Sequence, residues 1–178
     1  RLLVERGWAV DLYLYGEAAR LPPDARANHD RWASEQRVLP WDGTIFRAAD
    51  RPDLIVDAVF GIGLTRALPP QVTDLLSQKA VQHWPKAQEI RKVAVDCPSG
   101  LNLDTGRVPV DGQAGDLAPG TQNIAQLTVT FHAPKVGHYL EAGPSVSSHL
   151  SVVDIGLTDA AAERCALTQY PDTERARL

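Results

Sequence analysis

Apolar residues in this chain form short unbroken runs of strand length, and the segments between them carry apolar residues at helical spacing. The clearest run spans residues 54–60, which follow a polar segment and end at two glycines, Gly61 and Gly63. A strand buried on both faces of a parallel sheet has such a continuous Val/Ile/Leu-rich run. Glycine lets the backbone turn sharply and approach a ligand closely. We therefore predict a buried strand that turns tightly at its carboxyl end, where ligands bind in open α/β sheets.

Similar runs predict further strands, at residues 8–15, 37–41, 93–95, 127–131 and 149–155. Helical spacing predicts the last turn of a helix before Gly7, and helices over residues 25–36 and 71–84. The remaining segments, residues 108–123 and 137–144, are predicted to be loops. Strands that alternate with helices indicate a mainly parallel sheet, and right-handed crossovers put helices on both of its faces. The predicted fold is therefore α/β and layered.

Length, charge and cysteine content limit the class of protein. At 178 residues the chain has the length of one domain with a sizeable core. Its formal net charge of -4 gives no sign of a broad basic surface for nucleic acid. The cysteines, Cys97 and Cys165, are too few for a disulfide framework or a zinc site, which favours a reducing compartment. No apolar stretch reaches the roughly 20 residues of a membrane span, and no secretory signal opens the chain. We therefore expect a cytoplasmic protein that binds neither a membrane nor nucleic acid.

The turn after the first clear strand is a candidate ligand contact. Residues 61–66 lack the third glycine of a dinucleotide fingerprint and the Gly-Lys-Ser/Thr of a P-loop. The glycines alone are therefore equally compatible with a tight turn that binds nothing. Arg66 could hold a phosphate through two parallel hydrogen bonds, or it could be a solvated surface charge.

Two carboxylates lie on neighbouring predicted strands. Asp57 interrupts an apolar run, and a buried charge needs hydrogen bonds, an ion pair or a metal. Asp96 follows the strand at 93–95, where a parallel sheet would present a catalytic carboxylate at its edge. Ser99 comes next in the turn and offers hydroxyl and carbonyl oxygens to a cation. A serine hydrolase is disfavoured, because Cys97 stands where the Gly-x-Ser-x-Gly motif has its first glycine.

Lys135 lies just after the strand predicted at residues 127–131. Its side chain is predicted either to contact an anion or a reacting ring, or to be a surface charge. The histidines show no metal-binding spacing on a helix face, and structural or surface roles are expected for His29, His83, His132, His138 and His149.

These motifs, in this order, resemble the NAD(P)HX epimerase family of the YjeF N-terminal-domain type. The resemblance rests on residues 56–66, 95–106, 128–135 and 153–157, and it covers residues 1–157. It implies a Rossmann-like three-layer sandwich and conversion of the (R) form of hydrated NADH or NADPH to the (S) form. The small-molecule substrate would then be NAD(P)HX. A non-catalytic nucleotide-binding or interaction module of the same fold is the alternative.

The resemblance also assigns roles to residues. It implies a potassium ion held by Asp57 and Ser99, both of which supply oxygen ligands. It implies that Asp96 contacts the substrate, and we expect Asp96 to be catalytic and to move the proton, with Lys135 as a further substrate contact that orients oxygens. The glycine loop is the remaining substrate contact, comprising Gly61, Ile62, Gly63, Leu64, Thr65, Arg66 and Ala67.

The chain departs from the family pattern in three places. Ile62 replaces a common threonine, and Gln126 replaces a common aspartate. The Asn-Gly-Gly-Asp-Gly phosphate loop of the family, which carries another potassium ligand, would lie upstream of residue 1. We therefore expect residues 1–157 to be an epimerase domain without that loop, and residues 158–178 to be a tail towards an ADP-dependent dehydratase domain in cis. The family also allows a homo-oligomer.

Overall fold

Parallel strands dominate the fold. The computed structural model describes residues 1–42, 51–82, 84–110 and 123–157. The strands in these ranges are β1 (Leu12–Leu14), β2 (Val38–Pro40), β3 (Leu54–Asp57), β4 (Arg91–Val95), β5 (Leu127–Phe131) and β6 (Leu150–Val153). The α-helices are α1 (Leu2–Glu5), α2 (Pro23–Ala33), α3 (Pro70–Leu76), α4 (Gln78–Val81) and α5 (Gly143–Val146). The predicted α/β class is confirmed.

The strands form two sheets, in which every pairing is parallel. One sheet contains β1 and β2, and the other has the order β3-β4-β5-β6. In the larger sheet Asp57 pairs with Ala94, and Val95 pairs with Val129. This register places the carboxyl ends of β3, β4 and β5 at one edge, so the turns that follow them lie side by side.

The two sheets meet at their carboxyl ends through side chains. The ring of Tyr15, just after β1, contacts that of Phe60, just after β3, with 5.8 Å between the centroids. The indole N–H of Trp41, just after β2, donates to the carbonyl of Gln71 at 3.3 Å. The edge of β1–β2 therefore lies next to the glycine turn of the larger sheet.

The helix predicted over residues 71–84 is wrong as a single element. Ser77 has extended backbone angles, with φ -63° and ψ 158°, and it separates α3 from α4. Its hydroxyl accepts a hydrogen bond from the N–H of Ala80 at 3.3 Å. Serine is a favoured N-cap because its oxygen satisfies such a free N–H, so the break is a cap that starts α4. Residues 137–144 also differ from the predicted loop, since they contain a short 3₁₀ turn and the start of α5.

A compact apolar cluster supports the turn that follows β4. Its buried members are Cys97, Leu101, Leu103 and Val146. The Cys97 thiol is unreactive there, because burial raises its pKa to about 12. This cluster therefore holds the backbone around Asp96 and Ser99 in place. No helix in the described ranges is long and apolar enough to cross a membrane.

Candidate functional site

Asp57 ends β3 and is a buried anchor between two turns. Only 1% of the residue is exposed. One carboxylate oxygen accepts from the Ser99 hydroxyl at 2.6 Å and, at a longer 3.4 Å, from the Val59 N–H. The other oxygen accepts from the Ser99 N–H at 2.7 Å and from the Asn123 amide. The sequence left hydrogen bonds, an ion pair or a metal open as partners of Asp57, and the structure shows hydrogen bonds.

Lys92 and Asn123 extend this buried network, and neither was predicted as a site residue. Lys92 is 5% exposed on β4, and its ammonium donates to the carbonyl of Leu76 and to the Asn123 side-chain oxygen at 2.9 Å. Burial lowers the pKa of Lys92 to about 8, although the nearby Asp57 charge opposes the shift. Asn123 thus bridges an ammonium and a carboxylate. A lysine near the start of a strand is normally exposed, so pattern alone could not reveal this contact.

The Asp57 and Ser99 oxygens that the resemblance assigns to a potassium ion are engaged in hydrogen bonds with described residues. A carboxylate has about four lone-pair sites, and the hydrogen bonds to Asp57 use them. The Ser99 hydroxyl donates to Asp57 and accepts from the Phe60 N–H at 2.9 Å. Within the described ranges no group of three or more His, Cys, Asp and Glu side chains could hold a metal. The potassium assignment therefore stays a prediction.

Asp96 lies at the edge of the larger sheet with strained backbone and strong hydrogen bonds. Its φ of 69° is in the left-handed region, which Asp tolerates better than most residues. One carboxylate oxygen accepts from Lys135 and Thr130, both at 3.0 Å, and the other accepts from the Ile62 N–H at 2.9 Å. Burial acts to raise the pKa of Asp96, but these hydrogen bonds outweigh it and the pKa is lowered. Asp96 is therefore ionised at neutral pH.

Lys135 is held against Asp96 and is not a surface lysine. Its ammonium donates to Asp96, to the Thr130 hydroxyl at 2.6 Å and to the Phe131 carbonyl at 3.1 Å. An ammonium has three hydrogens, so all of them have acceptors within the protein.

His138 fixes the backbone on which Asp96 lies. One ring nitrogen, Nδ1, accepts from the Lys135 N–H at 2.9 Å, so the other, Nε2, carries the proton and donates to the Asp96 carbonyl at 2.9 Å. Burial lowers the pKa of His138, which keeps the ring neutral and preserves both bonds. The structural role expected for this histidine is confirmed, and its contact with Asp96 is new.

The glycine turn meets Asp96 through Gly61 and Ile62. A Cβ added at Gly61 would lie 2.9 Å from an Asp96 carboxylate oxygen, so only glycine allows this approach. Ile62 is 64% exposed, which leaves the rim open. Leu64 is buried and its carbonyl accepts from Asn102 at 3.0 Å, so its side chain serves the core.

The rest of the predicted loop points elsewhere. Thr65 and Arg66 are exposed. Ala67 and Ser99 line a cavity of about 270 Å³ beside α3, and Asp96 and Lys135 do not line it. The structure therefore brings Gly61, Ile62, Asp96 and Lys135 together, and no hydrogen bond in the described ranges joins Arg66 or Ala67 to Asp96.

The departure at Gln126 has a structural explanation. Its side-chain oxygen accepts from the Lys92 N–H at 2.6 Å, and its own N–H donates to the Lys92 carbonyl at 3.0 Å. Gln126 therefore joins the start of β5 to β4 and has no contact with Asp96 in the described structure.

Taken together, the edge holds an ionised carboxylate that is fixed by an ammonium, a hydroxyl and a backbone N–H. Of the described residues, only Ile62 donates to the second carboxylate oxygen, so none of them occupies its other lone pair. Such a group can stabilise a cation that forms beside it and can accept a proton from water.

Comparison with known proteins places the chain among close relatives. Residues 1–137 match the family described as YjeF-related protein N-terminus. An NAD(P)H-hydrate epimerase of Rhodobacter capsulatus is 43% identical over 139 residues, which cover 78% of this chain and 57% of that protein. An NAD(P)H-hydrate epimerase of Roseobacter litoralis is 38% identical, over 88% of this chain and 69% of that protein. The chain thus spans just over half of the first relative and about two thirds of the second.

Two further matches concern a longer protein and a solved structure. The bifunctional NAD(P)H-hydrate repair enzyme Nnr of Moorella thermoacetica is 34% identical over 88% of this chain, but the match covers only 28% of that enzyme. The crystal structure of the yeast protein YNL200c superposes with a TM-score of 0.63 at 20% identity, over 97% of this chain and 66% of that chain. The structural match supports the fold.

Proposed function

This chain belongs to the family of YjeF-related protein N-termini, and we propose that it epimerises hydrated NADH or NADPH, converting (R)-NAD(P)HX to (S)-NAD(P)HX. The observation that best supports this is the ionised Asp96, which Lys135 and Thr130 hold at the open edge of the sheet. The names of the similar relatives agree with this reaction. We also propose that a dehydratase domain accompanies this one in cis, in keeping with relatives that are named bifunctional NAD(P)H-hydrate repair enzymes.

The reaction inverts a ring carbon that bears a hydroxyl beside the ring nitrogen. When the carbon–oxygen bond breaks, its electron pair leaves with the oxygen, which takes a proton from solvent and departs as water. The nitrogen lone pair stabilises the planar iminium that remains. A second water then adds to either face of the ring and loses one proton, so atoms and charge balance over the cycle.

Asp96 suits the cationic intermediate of this reaction. Its lowered pKa keeps it negative at neutral pH, so it stabilises the iminium and accepts the proton of the entering water. An ionised carboxylate is a poor proton donor, so we expect Asp96 to accept a proton and not to donate one. Lys135 holds this carboxylate in place, since its hydrogens are all engaged within the protein.

The test is an activity assay on Asp96→Asn. Asparagine also tolerates the left-handed backbone, so the variant should fold while its charge is lost. We expect turnover to fall by at least about 100-fold, the usual scale for loss of a general base. Chromatographic loss of the (R) epimer measures this, with and without potassium. Asp104→Asn, on an exposed turn, is the matched control and should retain full activity.

The same assay separates an enzyme from a binding module. A non-catalytic domain would show no turnover with the unaltered chain, while binding of the hydrated nucleotide persists. Full activity in a folded Asp96→Asn variant would contradict the role assigned to Asp96.

A further inference from the structure

A second cleft lies at the carboxyl ends of β1 and β2, outside the site around Asp96. Its volume is about 350 Å³, and it is lined by Leu14, Tyr15, Gly16, Pro40, Trp41 and Gln71. Ligand sites in proteins have volumes of about 300–1,000 Å³, so the cleft is large enough for one ring system and its immediate substituents.

Aromatic rings form the walls of this cleft. Tyr15 packs edge-to-face on Trp41, with 5.6 Å between ring centroids and 75° between ring planes. Both residues are only half-buried. The hydrogen bond from the Trp41 indole to Gln71 holds the indole in one orientation. The cleft therefore offers fixed aromatic surface that is open to a planar ligand.

Polar groups accompany these rings. Gln71 lies on the exposed first turn of α3 and provides an amide that can both donate and accept. Gly16 has a φ of 92° and no side chain, so backbone groups are exposed at the rim. Such a site suits a flat ring with hydrogen-bonding edges. Nucleotide bases are ligands of this class, and they stack on aromatic side chains.

The cleft is connected to the site around Asp96 through consecutive residues. Phe60 contacts Tyr15 at 5.8 Å, and Ile62, two residues further along, donates to Asp96 at 2.9 Å. Two Cα–Cα steps of about 3.8 Å separate Phe60 from Ile62. One extended ligand could therefore reach both places along the sheet edge.

We propose that this cleft binds the purine base of the dinucleotide substrate, stacked on the Trp41 ring with the Tyr15 ring at its edge. The inference rests on the proposed function, in which the hydrated ring of the substrate reacts at Asp96. The purine lies at the other end of the dinucleotide and needs a binding site of its own. The base binds to the rings at the ends of β1 and β2, and Gln71 contacts its polar edge.

The experiment measures binding of adenosine monophosphate to the full 178-residue chain by calorimetry. Base stacking on an aromatic side chain contributes about 1–3 kcal/mol by alanine substitution, which corresponds to about 5- to 150-fold in affinity. Trp41→Ala should therefore weaken binding by at least about five-fold, whereas Trp41→Phe, which retains a ring, should lose less. Trp8→Ala is the matched control, since Trp8 is 54% exposed and lies outside the cleft.

A second variant guards against misfolding of Trp41→Ala. Gln71→Leu removes the amide at an exposed position and should weaken binding several-fold without unfolding the chain. Unchanged affinity in both folded variants, or no binding by the unaltered chain, would overturn the proposal.

Kinetic assays distinguish failure of the proposed cleft from failure of the proposed function. The cleft variants should raise KM more than they lower kcat. If the unaltered chain turns over the substrate but does not bind adenosine monophosphate, the proposed cleft is wrong and the proposed epimerase function stands. If the chain binds adenosine monophosphate in the cleft but shows no turnover, the cleft is supported and the epimerase function is wrong.

Discussion

At the scale of single residues, two aspartates on adjacent strands serve different purposes because their surroundings differ. Asp57 is 1% exposed and its oxygens are occupied by donors from neighbouring turns. The Asp96 side chain is 15% exposed, and of the described residues only Ile62 donates to its second oxygen. Both positions follow from the strand pattern, but the sequence does not show which carboxylate is enclosed. That difference depends on Asn123 and Ser99, which are distant along the chain.

Lys92 provides a test of the buried network. Its pKa is about 8 when folded and 10.5 in the unfolded chain. Between these values the unfolded state binds more protons, so the contribution of Lys92 to stability rises with pH. The rise amounts to about 3 kcal/mol over this interval. We expect the free energy of unfolding of the unaltered chain to increase, relative to Lys92→Met, between pH 8 and pH 10.5.

Urea titrations at several pH values measure this difference. Lys86→Met is the control, because the Lys86 side chain is 70% exposed and its substitution should produce no such trend. A difference between the unaltered chain and Lys92→Met that stays constant with pH would mean that folding does not lower the pKa of Lys92.

At the scale of elements, continuous apolar runs were the most reliable guide. β5 begins and ends at the predicted residues 127 and 131. β3 ends at Asp57, before the predicted residue 60, because Phe60 bonds to Ser99 and Val59 to Asp57 instead of continuing a ladder. The break at Ser77 was missed, because helical spacing continues through a serine that caps the next helix.

The glycine turn provides a prediction at this scale. Gly61→Ala places a Cβ 2.9 Å from the Asp96 carboxylate, so that side chain must move. Misplacement of a catalytic group by about 1 Å can cost about 100-fold in rate. We expect a loss of kcat/KM of that order with a modest change in stability. Gly7→Ala is the control: its φ of 86° makes alanine strained there, so stability should fall while activity remains.

At the scale of the whole molecule, the division into two sheets is the feature that local patterns could not show. Strand pairing depends on contacts between distant residues, and each run was predicted correctly as a strand without its partner being known. At the carboxyl ends of the two sheets, the ring of Tyr15 contacts that of Phe60, and the Trp41 indole donates to the Gln71 carbonyl on α3.

This division predicts uneven protection from amide hydrogen exchange. β4 and β5 are each paired on both sides, whereas β1 and β2 are three residues long and pair with each other in the described structure. Short elements with few backbone partners open first. We expect amides of β1 and β2 to exchange at least about ten-fold faster than those of β4 and β5, as measured by mass spectrometry. Equal protection would show that both sheets unfold as one unit.

The contact between Tyr15 and Phe60 then has a consequence for cooperativity. A ligand bound to these rings would couple the sheet of β1 and β2 to the larger sheet. Opening of β1 and β2 would then have to break the contacts with the ligand as well. Exchange in β1 and β2 should slow more on binding than exchange in β4 and β5. The two sheets, which we expect to open separately in the free protein, would then approach a single cooperative transition.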